Sequence, residues 1–463
     1  MRLKFILYPA LSLLARLRLP RIAARVLALS VRPFPEHLPS RRGEPASYRV
    51  LVLNLNKPGF PGDIEESLLA DSAFEVVSWP NYALKAMASA ILAPQLSNRR
   101  YASDDPAVEA SKLQFREFLL ALWQRFRELR PIDAVVTANF GYFAQREFGA
   151  ALKQAGTPLV VLHKENVKSP ERVEYWRAIY RTRGAFEGSK ILVYSDTEKE
   201  LQAETGVAAR EQIAVTGMPR MDRIHRWRKN HAADQSGNAP QVLFFSFWRK
   251  EKLTDMERVT DARVRIDVTD GEWANLSWTE LCEGTHKAII ELARRNPQAR
   301  VVVKTKAQSR RVDDSLNLLR QFAGELPPNL SVVSGGDPFP LIVASSVVIG
   351  FNTTALLEAL AAGKPVIVPQ FGEADDPRMR PLVIDVGDAV ERARSPDEIV
   401  ERASAHLNAP SPRASDLRPA AAEALTFWVG NDDGMAGQRV REAVRDEILR
   451  TRHGKAATTG IAA

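Results

Sequence analysis

A single cysteine, Cys282, stands in 463 residues. That excludes an internal disulfide framework and any zinc or iron–sulfur site built on cysteine ligands, and it suits a reducing compartment such as the cytoplasm. Long apolar runs are lacking too. The longest uncharged one, Phe5 to Ala15, is interrupted by Pro9 and falls well short of the ~20 residues a spanning helix needs. There is no Gly-x-x-x-x-Gly-Lys-Ser/Thr phosphate loop, no hydrolase triad, no internal sequence repeat and no low-complexity tract. What is present is ordinary for a globular chain: 45% hydrophobic, 26% charged, with 25 Gly and 29 Pro. Wholesale disorder, a collagen-like repeat and a polytopic membrane protein are thereby excluded. The length exceeds what one core supports, ~250–300 residues, and predicts two domains.

The net charge of +8 is concentrated at one end. Residues 1–49 hold Arg2, Lys4, Arg16, Arg18, Arg21, Arg25, Arg32, Arg41, Arg42 and Arg49 against Glu36 and Glu44, so this segment accounts for the whole +8. A nucleic-acid binder carries its positive charge on a folded domain, so no nucleic-acid partner is expected. Arg18, Arg21, Arg25 and Arg32 recur at helical spacing, with Ile22, Val26 and Leu29 on an adjoining face. A basic amphipathic helix of this kind can lie on an anionic membrane, each cation adding ~1 kcal/mol. The alternatives are a helix packed on the protein's own body and a secretion signal. Against the signal, arginines follow the apolar stretch where a small-residue cleavage site is wanted.

From Tyr48 onward, short β-branched runs alternate with longer helical patterns. Strands are predicted at 49–55, 74–79, 132–138, 158–163, 190–195 and 212–216, with helices at 63–70, 107–129, 143–154 and 197–205. Residues 228–240 are polar and without periodicity, a linker signature. The pattern then restarts, with strands at 241–247, 300–305, 330–334, 346–351, 364–369 and 382–386 and helices at 278–295, 313–323, 338–344 and 353–362. Strands apolar on both faces point to parallel sheets covered by helices on each side. The expected fold is α/β, two Rossmann-like doubly wound domains facing across a cleft. Its parts are a basic segment 1–47, a first domain 48–227, the linker, a second domain 241–430, a crossover helix 431–450 and a disordered tail 451–463.

The clearest site lies where the strand ending at Phe351 turns into the next helix. Asn352 is a good N-cap residue, Thr353 and Thr354 add hydroxyl donors, and Gly363 stops the helix. A helix that starts at a strand's carboxyl end offers free N–H groups to a diphosphate. Glu358, one turn deeper on the face of Thr354, can accept hydrogen bonds from ribose hydroxyls. The same residues also fit a plain capped helix, with Glu358 solvated or paired to Lys364.

The stretch Gly350-Phe-Asn-Thr-Thr-Ala-Leu-Leu-Glu-Ala-Leu-Ala-Ala-Gly-Lys-Pro-Val366 resembles the nucleotide-sugar segment of GT-B glycosyltransferases. The segment Trp428-Val-Gly-Asn-Asp-Asp-Gly-Met-Ala-Gly-Gln-Arg-Val440 is similar to the ending of bacterial capsule and surface-carbohydrate transferases, and to that of CDP-glycerol glycerophosphotransferases. Val136–Glu147 and Val160–Asn166 also resemble surface-polysaccharide proteins, which puts Asn139 among the acceptor-side residues. The resemblance implies a donor held in the second domain and an acceptor presented by the first. It implies no bound cofactor and no metal; the nucleotide sugar is a co-substrate.

Further contacts follow from position. Lys304 and Lys306 leave a strand end where cations can neutralise a departing nucleotide, and Ser246 and Arg249 leave the second domain's first strand toward the same place. A solvated basic loop is the plainer account of the lysines. The His-Pro pair that capsule-type relatives carry near this lysine is absent. On the acceptor side, Gly59 and Gly62 let backbone approach a ligand, and Asp63 with Glu66 has capping-box spacing. His163 ends a buried strand with a near-neutral intrinsic pKa and is the candidate base; Glu165 and Asp63 stand in reserve. Asp375 and Asp376 lack a third ligand for a metal.

The expected function is a cytoplasmic glycosyltransferase of surface or capsular polysaccharide assembly, peripheral on the membrane. It would move a sugar from a nucleotide-activated donor to a glycan or lipid-linked acceptor. The alternatives are a UDP-N-acetylglucosamine 2-epimerase-like enzyme, a CDP-glycerol glycerophosphotransferase and an inactive nucleotide-sugar-binding subunit.

Overall fold

A computed structural model describes residues 2–34, 46–53, 59–96, 98, 101, 103–164, 166–230, 239–251, 253, 276–306, 309–409 and 416–459. The chain forms two compact α/β units. The first comprises Met1–Asn166, Ile179–Asp222 and Met435–Ala463; the second comprises Val167–Ala178 and Arg223–Gly434.

The first unit is built on a seven-stranded sheet. Its strands are β1 (Arg32–Pro33), β2 (Tyr48–Leu53), β3 (Phe74–Ser78), β4 (Ala134–Thr137), β5 (Leu159–Leu162), β6 (Lys190–Val193) and β7 (Ile213–Val215), in the order β1-β3-β2-β4-β5-β6-β7. Only β1, a two-residue edge, runs antiparallel. Alternation along each strand feeds two cores. Leu51, Leu53, Val135 and Leu159 face one helical layer, while Val50, Val52, Val136 and Val160 face the other. In the first layer Trp79, Trp123, Phe126 and Phe148 pack together, some stacked and some edge to face, at centroid distances of 5.0 to 5.9 Å. Helix Ala436–Thr459 belongs to the second layer and buries Val440, Val444 and Ile448 there.

The second unit holds an all-parallel six-stranded sheet. Its strands are β8 (Gln241–Phe245), β9 (Arg300–Thr305), β10 (Leu330–Ser334), β11 (Val347–Gly350), β12 (Val366–Pro369) and β13 (Glu391–Ala393), in the order β10-β9-β8-β11-β12-β13. Numbered within the unit this is 3-2-1-4-5-6, the doubly wound order of dinucleotide-binding folds. The α/β class and the pair of Rossmann-like sheets expected from the sequence are what the chain adopts.

Several expectations need correction. The amino-terminal segment is not one basic helix over residues 18–32. It is two helices, Arg2–Arg16 and Pro20–Ser30, with Arg18 in the turn between them at φ 55° and Arg32 opening β1. Leu7, Leu11, Ala15, Ala23, Ala24 and Leu27 are buried in the first core, so both helices pack on the body of the protein. Residues 228–230, expected in the linker, finish helix Asp222–Asn230. That helix buries His225 and Arg228, polar residues that hide its periodicity. The last helix continues to Thr459 rather than fraying at 451. Arg452 ties that turn to Ser47 O and Asp133 at 3.2 and 2.8 Å, and the alanines beyond favour helix. Residues 460–463 and 231–238 lie outside the described residues. No strand forms over 382–386; a 3-10 turn, Arg380–Leu382, stands there, and the sixth strand is the short Glu391–Ala393, whose composition carries no alternation. Helices Ala83–Ile91, Pro170–Arg181, Pro396–Asn408 and Pro419–Val429 were not anticipated. Among the described residues no helix is long and apolar enough to cross a membrane.

Candidate functional site

In the second sheet the connections reverse direction between β8 and β11, and in open α/β sheets ligands bind beyond the carboxyl ends of strands at such a switch point. Gly350 pairs with Phe245, and Phe245 with Lys304, so the segments after β11, β8 and β9 leave the sheet side by side. Ser246, Arg249, Lys304, Lys306 and residues 352–354 therefore share one edge.

Their side chains are less available than their positions suggest. Asn352 is not an N-cap. It is buried with φ 51°, its amide nitrogen donates to Leu382 O at 2.9 Å, and its amide oxygen accepts from Ile384 N at 3.2 Å. The helix starts only at Ala355 and has seven residues, with Thr354 at its cap position. The Thr353 hydroxyl accepts from Ala355 N at 3.3 Å. The N–H groups of Thr353 and Thr354 and the Thr354 hydroxyl donate to nothing among the described residues, and both residues are partly exposed. Glu358 is buried one turn further on. Lys364, weighed as its partner, lies instead 5.2 Å from the Trp227 ring, and burial lowers its pKa to about 8.

Ser246 turns inward. His286 donates Nδ1–H to Cys282 O at 2.7 Å, which leaves Nε2 to accept from the Ser246 hydroxyl at 3.0 Å; Ser315 lies 2.8 Å from that hydroxyl. Arg249 is exposed and pairs with Glu283 at 2.9 Å, and Lys306 pairs with Glu251. Lys304 is buried, donates to Gly335 O, and has its pKa lowered by burial.

In the first sheet the reversal falls between β2 and β4. Leu53, Thr137 and Val161 are in register, so helix Phe60–Glu66, Asn139 and His163 lie beyond one edge. Gly59 takes φ 82° as the residue before that helix, packed near Arg220 and Lys164, and Gly62 rests against Arg220. Both glycines thus serve packing within the unit. Asp63 lies inside the helix rather than at its cap. It is fully buried, its carboxylate accepts from the Arg220 guanidinium at 3.0 Å, and Tyr194 stands 3.4 Å away. Burial raises the Tyr194 pKa.

His163 is buried beside Phe140, with ring centroids 5.1 Å apart. Its Nδ1 lies 3.4 Å from Glu198 Oε1 and 3.1 Å from the Gln202 amide; Glu198 also accepts from the Tyr180 hydroxyl at 2.8 Å. Its Nε2 makes no hydrogen bond among the described residues. Glu198, Gln202, Tyr180 and Arg220 were not singled out from sequence. Only the i, i+4 spacing of Glu198 and Gln202 marked a shared helical face, and nothing local tied it to His163. Glu165 and residues 54–58 lie outside the described residues. Asp375 pairs with Arg394 and Asp376 with Arg378; among the described residues no three His, Cys, Asp or Glu side chains cluster at metal-binding spacing.

The segment 428–440 receives a structural account. Gly434 adopts φ 82°, where a β-carbon would stand 2.9 Å from His225. The Asp222 carboxylate caps the last helix, accepting from Ala436 N at 3.2 Å and Gly437 N at 2.7 Å. Arg439 donates to Thr216 O at 2.9 Å.

No protein-family model matches the chain, and no curated protein matches it. Solved structures are similar at low identity. A protein assigned as a UDP-N-acetylglucosamine 2-epimerase from Listeria monocytogenes is 13% identical, with 88% of this chain and 98% of that one covered and a TM-score of 0.49. The UDP-GlcNAc 2-epimerase of Neisseria meningitidis, solved with UDP-GlcNAc, is 12% identical over 86% and 100% of the chains, TM-score 0.45. An α,α-trehalose-phosphate synthase (UDP-forming) of Burkholderia vietnamiensis is 11% identical over 90% and 99%, TM-score 0.43. Likenesses this distant carry no inference about chemistry.

Proposed function

We propose that the chain is a nucleotide-sugar-dependent glycosyltransferase of surface-polysaccharide assembly, with the donor bound by the second unit and a glycan or lipid-linked acceptor presented by the first. The observation that carries this is the turn at residues 352–354. It offers two unengaged N–H groups and the Thr354 hydroxyl at the switch point of a 3-2-1-4-5-6 sheet, within a segment that resembles the donor site of such enzymes. In this reading Thr353 and Thr354 hold the pyrophosphate and Glu358 the ribose. Asn352 is a positioning residue that fixes the turn. Lys304 and Lys306 neutralise charge on the departing nucleotide once they exchange their present partners.

His163 is the proposed base. For Nε2 to take the acceptor hydroxyl's proton, Nδ1–H must face Glu198, which requires the Gln202 amide to turn over from its present hydrogen bond to Nδ1. Asp63, bound to Arg220, acts as part of the framework.

Contact with an anionic membrane is part of the proposal. Phe5, Leu13 and Leu29 are 74%, 55% and 87% exposed, and Ile6, Leu17 and Ile22 lie open beside Arg16, Arg21 and Arg25. No acidic residue occurs in the first thirty. Apolar and cationic side chains turned away from the core together suit an anionic lipid surface.

The test is turnover of UDP-, GDP-, CMP- and CDP-linked compounds with and without acceptor glycans. Acceptor-dependent release of nucleotide is expected, lost in His163→Ala. Turnover without acceptor would instead identify an epimerase, transfer from CDP-glycerol a glycerophosphotransferase, and binding without turnover an inactive subunit.

A further inference from the structure

A cavity of about 220 Å³ opens in the first unit; its lining includes none of the residues given catalytic or donor roles above, though Phe140 in its wall packs on His163. Its wall is formed by helix Pro106–Leu129, helix Phe143–Gln154, the residues after β4 and the loop before β6. Three features set it apart from an ordinary surface dent.

The first is charge. Lys112 is buried and held by Glu109 at 2.6 Å, Arg116 is held by the fully buried Glu147 at 3.1 Å, and Glu187 is held by Lys153 at 2.9 Å. Arg146 differs. Its guanidinium stacks 4.0 Å from the Tyr101 ring and donates to Gly184 O at 2.8 Å, and among the described residues no carboxylate lies at ion-pair distance from it. Burial lowers its pKa, while Tyr101 and the nearby carboxylates of Glu147 and Glu187 act against that shift. Arg146 is thus a cation of the wall without a direct ion pair among the described residues.

The second is an amide with no protein partner among the described residues. Gln145 is 9% exposed, lines the cavity, and makes no hydrogen bond among the described residues. Its amide atoms open onto the cavity rather than into the core, where a bound ligand can reach them. The third is Asn139, 8% exposed, whose oxygen accepts from Gly141 N while its amide nitrogen donates to nothing among the described residues. The amides of Asn139 and Gln145 and the planar cation of Arg146 thus line one volume.

We propose that this cavity binds a small oxyanion-bearing ligand, whose carboxylate or phosphate is held by Arg146 with the amides of Asn139 and Gln145 alongside. The guanidinium's planar fork matches either anion in a two-point contact. Asn139 is shared with the acceptor-side edge, but the site stands whether or not the chain is a transferase.

The full-length protein is titrated calorimetrically with inorganic phosphate, with glucuronate as a sugar carboxylate, and with glucose as an uncharged control. At least one anion should bind, and glucose at least about tenfold more weakly. Which anion binds distinguishes a phosphate ligand from a sugar acid. Arg146→Gln should weaken the anion about tenfold or more, and Gln145→Met, which keeps chain length but removes the amide, about fivefold. No anion binding by the wild type, glucose binding as well as glucuronate, or unchanged affinity in Arg146→Gln would overturn the site. If Arg146→Gln fails to fold by circular dichroism, Gln145→Met decides: unchanged affinity in that variant overturns it as well. Because no probe is a nucleotide sugar, failure here is separable from failure of the transferase reading.

Discussion

Buried polar residues do most of the shaping at the scale of single side chains. Asn352 holds a left-handed backbone that asparagine tolerates better than most residues, and its amide clamps the chain at 382–384. His225 and His286 are kept neutral inside the second unit, their pKa values lowered to about 4, in each case chiefly by burial. An unfolded histidine titrates near 6.5, so on acidification the unfolded state takes up protons first. Stability is then complete above pH 6.5 and is lost as the pH falls from 6.5 towards 4, on the order of 3 kcal/mol for each ring. Urea unfolding at pH 7, 5.5 and 4.5 should show this slope, and His286→Gln should flatten it. An unchanged slope in that variant would mean that His286 is not held neutral by burial.

Among the elements, the last helix depends on a cap from a distant residue. Asp222→Ala removes the acceptor for Ala436 N and Gly437 N and should lower unfolding free energy by about 2 kcal/mol. Gly437→Ala should cost more, because a β-carbon there would stand 2.0 Å from Glu66 O. Denaturant midpoints of the two variants check both. For the amino-terminal helices, Arg21→Gln combined with Arg25→Gln should weaken flotation on phosphatidylglycerol vesicles about 25-fold at low salt. Leu13→Ser with Leu29→Ser should weaken it at every salt concentration. Equal partitioning of all variants would remove the membrane from the proposed function. The strands were the legible elements: parallel strands buried on both faces leave apolar runs such as Leu51-Val52-Leu53 and Val301-Val302-Val303. Helix Asp222–Asn230 was not legible, because its buried residues other than Ile224 are the polar Asp222, His225 and Arg228, and neither was β13, whose Glu-Arg-Ala has no pattern to find.

For the molecule as a whole, the two sheets differ in strand order, and that order was beyond local reading because it is set by crossover connections. It nevertheless brings Ser246, Lys304 and Thr353 to one edge, as their positions after successive strands suggested. The partners of those side chains were illegible for the same reason. Asp63 and Arg220 are separated by much of the first unit's sequence, and His163 and Glu198 by helix Pro170–Arg181, strand β6 and their loops. The central claim is that the turn at 352–354 grips an activated sugar. Its most direct test is titration of the full chain with a panel of nucleotide sugars, wild type against Thr354→Val and Glu358→Gln. The account predicts that one nucleotide sugar binds the wild type and that each variant binds it about tenfold more weakly. Equal binding by all three proteins, or no binding of any nucleotide sugar by the wild type, would contradict it.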